Sequence, residues 1–168
     1  MHTGRHLYIM KKHADMRSEY ITKAAMTAAL YVVLTLASSL LGLSSGQVQV
    51  RLSEALCLLP VLTPAAIPGL YAGCLIANAL TGALLPDIII GSFTTLAGAV
   101  LTRRFRGNIY AAAACPIACN AAVIPLLLKW AYGIGPLWLS FVDVLIGEIV
   151  SAGIIGIFLY KKCLQSIF

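Results

Sequence analysis

Residues 47–56, QVQVRLSEAL, place a cation and a carboxylate at the mouth of a long apolar segment. Arg51 and Glu54 are three residues apart, so in a helix they lie on one face, where they can form an ion pair. The segment behind them carries almost no other charge. The pair therefore does not fit the exposed helix of a soluble protein.

The composition indicates what surrounds this segment. Of the 168 residues, 60% are hydrophobic and 11% are charged, against about 25% charged in soluble domains, and the mean hydropathy is +0.92. A chain of this length cannot hide so much apolar surface in a core, so we expect an all-α integral membrane protein embedded in the lipid bilayer. Its net charge of +6 does not predict a nucleic-acid partner, because the basic residues lie between hydrophobic segments.

The hydropathy pattern predicts a bundle of six transmembrane helices over residues 21–168, preceded by a basic lead over residues 1–20. Met10 and Met16 are alternative starts, which leaves open a leader or a vector remnant over the first residues. The second span is short, so we expect a tilted or broken helix shielded by its neighbours. The predicted spans cover approximately residues 21–43, 51–62, 67–85, 87–101, 108–128 and 137–160.

The positive charges predict the orientation of the bundle. If the N-terminus is cytoplasmic, the inner segments hold every Lys and Arg except Arg51 and Lys129. We therefore expect a multi-pass protein of the plasma membrane with both termini in the cytoplasm.

In this orientation the acids beyond the lead fall at the outer ends or outer halves of the spans. Because they come from different spans, we expect them and two asparagines to converge on one pocket open to the outside. These residues are Glu54, Asp87, Asp143, Glu148, Asn78 and Asn120.

Most of these polar residues have a structural explanation as well. Asp87 follows a proline and could cap a helix, the two asparagines could bond neighbouring helices, and Asp143 is near enough to the surface to be solvated. Glu148 is different, because about ten residues into its span it lies roughly 15 Å deep. An unpaired acid there costs on the order of 3 kcal/mol, which a bound ligand could compensate.

Two further groups of residues have alternative explanations. Trp130 and Trp138 are typical either of an interfacial aromatic belt or of ligand stacking. Small residues near the start of the first span indicate either internal helix packing or a docking face for another membrane subunit; they are Ala24, Ala25, Ala28 and Ala29. The five cysteines include no C-x-x-C pair, so we expect neither a metal site nor a cofactor.

Several segments resemble the QueT-type queuosine-precursor transporters, which are substrate-binding S components of energy-coupling factor (ECF) transporters of the ABC type. The resemblance covers the chain from about residue 20 onward. The segments that carry it are residues 51–56 (RLSEAL), 66–70 (AIPGL), 73–78 (GCLIAN), 87–88 (DI) and 147–148 (GE).

The resemblance implies a six-helix S component that captures its ligand from outside and associates with a membrane coupling (T) subunit and two cytoplasmic ATPases. The alanine-rich first helix would dock on the coupling subunit. The chain has no Walker A sequence, so it is expected to have no catalytic residues, and ATP hydrolysis would fall to the partner ATPases.

The implied cargo is a 7-deazaguanine, such as a preQ-type base or queuine. Its flat ring could stack on Trp130, Trp138 or Tyr71. Its ring N–H and amino donors match the two oxygens of one carboxylate, and we expect a charge-assisted bidentate pair with Glu148 or Glu54.

The remaining groups of such a base would meet other polar residues. Its carbonyl would accept from Asn78, Asn120 or Arg51, and the cation of an aminomethyl substituent would lie near Asp87 or Asp143.

Alternative interpretations are an S component for another small vitamin or nucleobase, a stand-alone proton-coupled transporter, and an intramembrane enzyme with two glutamates as acid and base. The last is disfavoured because the spans contain no histidine and no nucleophile beside a base.

Overall fold

The computed structural model describes residues 2–43, 50–133 and 135–164, and within these ranges it is helical with no strand. A 3₁₀-helix lies between the first two α-helices, and α5 continues through a π-helix into the short α6. In chain order the elements are α1 His2–Leu40, the 3₁₀-helix Leu52–Val61, α2 Ala66–Leu80, α3 Leu85–Arg104, α4 Ile109–Tyr132, α5 Leu137–Glu148, the π-helix Ile149–Ile155, α6 Gly156–Leu159 and a final π-helix Tyr160–Leu164.

Among the described residues, four helical segments are long and apolar enough to cross a membrane: Ala14–Leu40, Leu85–Arg104, Ile109–Tyr132 and Leu137–Lys162. The 3₁₀-helix and α2 have 10 and 15 residues, fewer than the roughly 20 that a crossing requires. The predicted all-α class with several membrane-spanning helices is thus confirmed. Six crossings and two cytoplasmic termini stay predictions.

The 3₁₀-helix lies at the centre of the bundle. Each residue from Ser53 to Pro60 is buried, and the helix packs against α1, α3, α4 and the π-helix that follows α5. Protein rather than lipid covers its backbone, which is how irregular structure is tolerated at membrane depth. The shielding by neighbours that the sequence predicted for the second span is thus observed, whereas its tilt or break stays a prediction.

Helices α1 and α2 approach each other closely at two glycines. A Cβ atom added at Gly69 would lie 2.5 Å from the carbonyl oxygen of Ala24, and one added at Gly73 would lie 3.0 Å from that of Ala28. This small-residue spacing lets two backbones touch. Internal packing therefore accounts for two of the four alanines. The two that stay exposed are Ala25 and Ala29.

The last span changes its helical type at Glu148. Helix α5 ends there, and Ile149–Ile155 continues as a π-helix. Short π-helical segments inside α-helices are frequently found at functional sites. The π-helix Ile149–Ile155 contacts the 3₁₀-helix, so these two irregular elements are neighbours.

Candidate functional site

A cavity of about 50 Å³ lies where the 3₁₀-helix, α2, α3, α4 and the α5–π junction meet. Five of the ten residues predicted to bind substrate line it, together with side chains that the sequence did not single out. The five are Arg51, Glu54, Asp87, Asn120 and Glu148, and the additional polar ones are Cys74, Thr95 and Ser151.

Glu54 uses both of its carboxylate oxygens inside the protein. Tyr31 of α1 donates its hydroxyl to Oε1. Cys57 donates from Sγ to Oε2 at 3.0 Å, and Asn120 of α4 donates to the same oxygen at 3.5 Å. With 3% of its surface exposed, this acid links α1, the 3₁₀-helix and α4.

The prediction of an ion pair between Arg51 and Glu54 is wrong. No carboxylate oxygen of a described residue lies within 4.0 Å of the Arg51 guanidinium. Arg51 precedes the 3₁₀-helix with extended backbone angles, φ −100° and ψ 107°, so the one-face geometry of a helix does not apply to it. Its Nη1 instead donates to Asn78 Oδ1 at 3.4 Å. Asn78 does not line the cavity, but it accepts this hydrogen bond from Arg51, which does line the cavity.

Asp87 connects the start of α3 to the end of α4. The hydroxyl of Tyr132 donates to Asp87 Oδ2 at 3.1 Å and accepts from the backbone N–H of Leu84 at 3.0 Å. Leu84 holds the N-cap position, so Asp87 lies in the first turn of α3 rather than acting as the cap. A carboxylate there is stabilised by the helix dipole.

Glu148 is only half satisfied by the protein. Its Oε1 accepts from Asn120 Nδ2 at 2.6 Å, so Asn120 lies between the two glutamates. Its Oε2 is buried and has no hydrogen-bond partner among the described residues, and the same is true of Ser151 Oγ. Glu148 is 8% exposed and Ser151 is 1% exposed.

The other predicted residues lie outside this cavity. Asp143 is half-buried on α5, and the ring of Tyr71 packs against Phe93 with centroids 5.4 Å apart. Trp130 is 80% exposed and Trp138 is 68% exposed, which fits the aromatic-belt alternative.

Two hydroxyl-bearing residues beside the acids were missed at the sequence level: Tyr31 and Ser151. Each supplies a hydroxyl from a segment rich in apolar residues. That was the available signal, because a buried hydroxyl needs a partner. Periodicity alone could not say which partner it would find.

The charge and size of the cavity limit what it can bind. Three carboxylates and one guanidinium line it, so it favours a ligand rich in N–H donors or carrying a positive charge. A space of about 50 Å³ holds only a few waters at roughly 10–15 Å³ each. The walls must therefore move apart to admit anything as large as a bicyclic base.

Comparison with known proteins points to one family. The family model described as the QueT transporter matches residues 21–165. The "Queuosine precursor transporter QueT" of Lactococcus lactis subsp. cremoris (strain MG1363) is 34% identical over 94 residues, which are 54% of this chain and 55% of that protein. The match thus spans about half the length of this relative. No solved structure matches the chain.

Proposed function

The chain belongs to the QueT transporter family, and on this premise we propose that it captures a queuosine precursor from outside the cell for uptake. The cargo would be a 7-deazaguanine base, such as a preQ-type base or queuine. The observation that carries the proposal is the carboxylate of Glu148, which is buried in the cavity with one oxygen that accepts no hydrogen bond from any residue the structure describes.

The donors of such a base suit this oxygen. A ring N–H beside a carbonyl would donate to Glu148 Oε2, a charge-assisted bond stronger than one between neutral groups. Arg51 also lines the cavity and would donate to the carbonyl of the base. An aminomethyl cation would be stabilised near Asp87, whose Oδ2 is held by Tyr132.

Glu54 has a supporting role in this proposal. Its two oxygens already accept from Tyr31, Cys57 and Asn120. It therefore holds the Asn120 amide, which in turn orients Glu148. We assign ligand contact to Glu148 and positioning to Glu54.

Uptake would depend on partners, with this chain acting as the S component of an ECF-type importer in the cell membrane. A membrane coupling subunit would dock on the exposed side of α1 at Ala25 and Ala29, since Ala24 and Ala28 already pack against α2. Two cytoplasmic ATPases would supply the energy. The chain itself would be a binding and translocating subunit rather than an enzyme.

The direct test is calorimetric titration of the purified protein with 7-deazaguanine bases, using adenine and riboflavin as comparison ligands. We expect saturable binding of the deazaguanines alone. Binding of a different vitamin, with no response to deazaguanines, would overturn the substrate assignment.

The coupling proposal has a separate test in liposomes. Uptake is expected only when the coupling subunit and both ATPases are reconstituted with this chain and ATP is supplied. Uptake by the chain alone, driven by a proton gradient, would overturn it.

A further inference from the structure

Two polar atoms that have no hydrogen-bond partner in the described part of the chain lie at the same wall of the cavity. They are Glu148 Oε2 and Ser151 Oγ, and both residues line the cavity. Val144, Gly147, Glu148 and Ser151 of the last span all line this cavity, so the two side chains face it although the helix type changes between them. A ligand that meets the first atom is therefore within reach of the second.

The helix type explains why the Ser151 hydroxyl is unused. The buried serines Ser38 and Ser92 donate to the carbonyl four residues earlier, at 2.8 Å and 2.6 Å, as serines in α-helices commonly do. Ser151 lies within the π-helix Ile149–Ile155, where the wider turn changes the position of the preceding carbonyls. Its hydroxyl makes no such bond and stays available to the cavity.

Asn120 already donates to one oxygen of Glu148, at 2.6 Å from Oε1. A ligand that bound both oxygens would share Oε1 with this asparagine, whereas Glu148 Oε2 and Ser151 Oγ have no hydrogen-bond partner among the described residues. A guanine-type edge presents two adjacent donors, the ring N–H and the exocyclic amino group. The hydroxyl of Ser151 lines the cavity beside Glu148 and can accept the second of these donors.

We infer that Ser151 determines specificity by accepting a hydrogen bond from the exocyclic amino group of the base, while Glu148 Oε2 accepts from the adjacent ring N–H. This inference rests on the proposed function. It predicts that the protein discriminates between bases that have this amino group and analogues that lack it. The discrimination should depend on one hydroxyl at the α5–π junction.

The experiment compares two ligands and two matched variants by calorimetric titration. The ligands are 7-deazaguanine and 7-deazahypoxanthine, which differ in the amino group. Ser53 is the control, because its hydroxyl is also buried and without a partner in the described structure but does not line the cavity. We expect Ser151→Ala to weaken 7-deazaguanine binding about five- to tenfold, the loss of one hydrogen bond.

The same variant should leave the affinity for 7-deazahypoxanthine within about twofold of the original protein. Ser53→Ala should change neither affinity. Unchanged binding of both ligands by Ser151→Ala would overturn the inference, and so would an equal loss for both. If Ser151→Ala melts early, Ser151→Cys, with a weakly accepting sulfur, takes its place with the same expected pattern.

The failure of the proposed function looks different. In that case the unaltered protein binds neither deazapurine, whichever residue occupies position 151. If the unaltered protein binds these bases but Ser151→Ala changes the affinity for both ligands equally or for neither, only the serine contact is refuted.

Discussion

Glu54 and Glu148 are buried in the same cavity and bonded by the same Asn120 amide, yet the protein satisfies them to different degrees. Glu54 accepts from Tyr31, Cys57 and Asn120, which engage both of its oxygens. Among the described residues, Glu148 accepts from Asn120 alone. The comparison teaches that burial by itself does not distinguish the two acids, whereas an oxygen without a described protein donor does.

The backbone around each acid accounts for the difference. Glu54 lies in a 3₁₀-helix whose neighbours from Ser53 to Pro60 are all buried, so protein donors surround it. Glu148 is the last residue of α5, where the π-helix begins. The first acid is held by the core, and the second faces the cavity from the edge of a helical irregularity.

The largest expected effect is on stability, from Glu54→Gln. The amide nitrogen of glutamine is a donor, so it would face a donor already present beside one of the carboxylate oxygens. We expect the free energy of unfolding to fall by about 2–3 kcal/mol, measured by thermal unfolding in detergent. Glu19→Gln is the control, because the ion pair of the exposed Glu19 with Lys23 lies at the protein surface, and such pairs contribute only about 0–1 kcal/mol. An unchanged melting temperature for Glu54→Gln would show that the hydrogen bonds to Glu54 do not stabilise the fold, which would contradict the difference between the two acids.

The next effect is on affinity, from Glu148→Gln. This change removes the charge but keeps an oxygen that can accept from Asn120. Loss of a charge-assisted bond predicts a decrease in 7-deazaguanine affinity of about 10- to 100-fold, with little change in melting temperature. The control is Asp143→Asn, which lies on the same helix but outside the cavity. It should bind 7-deazaguanine with the affinity of the original protein. Undiminished affinity of Glu148→Gln would remove Glu148 from the site.

A variant of the residue between the acids should affect both properties. Asn120→Ala removes a donor from Glu54 and the donor on Glu148. We expect a loss of about 1–2 kcal/mol in stability together with a loss of up to about tenfold in affinity. Thermal unfolding and titration on the same preparation test this. A change in one property without the other would show that Asn120 does not connect the two acids.

The smallest effect is expected at the exposed aromatic residues. Trp130 is 80% exposed and does not line the cavity, so Trp130→Ala should change deazaguanine affinity by less than about twofold, as exposed positions usually do. Titration of this variant beside Glu148→Gln measures the difference directly. A tenfold loss of affinity would show instead that the ligand stacks on Trp130. The binding site would then lie nearer the membrane interface.

The sequence by itself determined the class of the protein and its most informative acid. A chain with 60% hydrophobic and 11% charged residues cannot bury its apolar surface without lipid, which led to an all-α membrane protein. The depth of Glu148 within an apolar span indicated that this carboxylate needs a partner. Both conclusions depend on the high cost of placing polar groups in hydrocarbon, and that cost can be read residue by residue.

Only the tertiary structure decided which groups meet. It separated Arg51 from Glu54, since the backbone at Arg51 is extended. It also gave Glu54 the hydroxyl of Tyr31, a residue 23 positions away, and left the hydroxyl of Ser151 at the cavity wall. The physical reason is that hydrogen bonds act over about 3 Å. Partners distant in sequence, and turns that depart from regular α geometry, are fixed by how the helices pack rather than by the spacing of residues along any one of them.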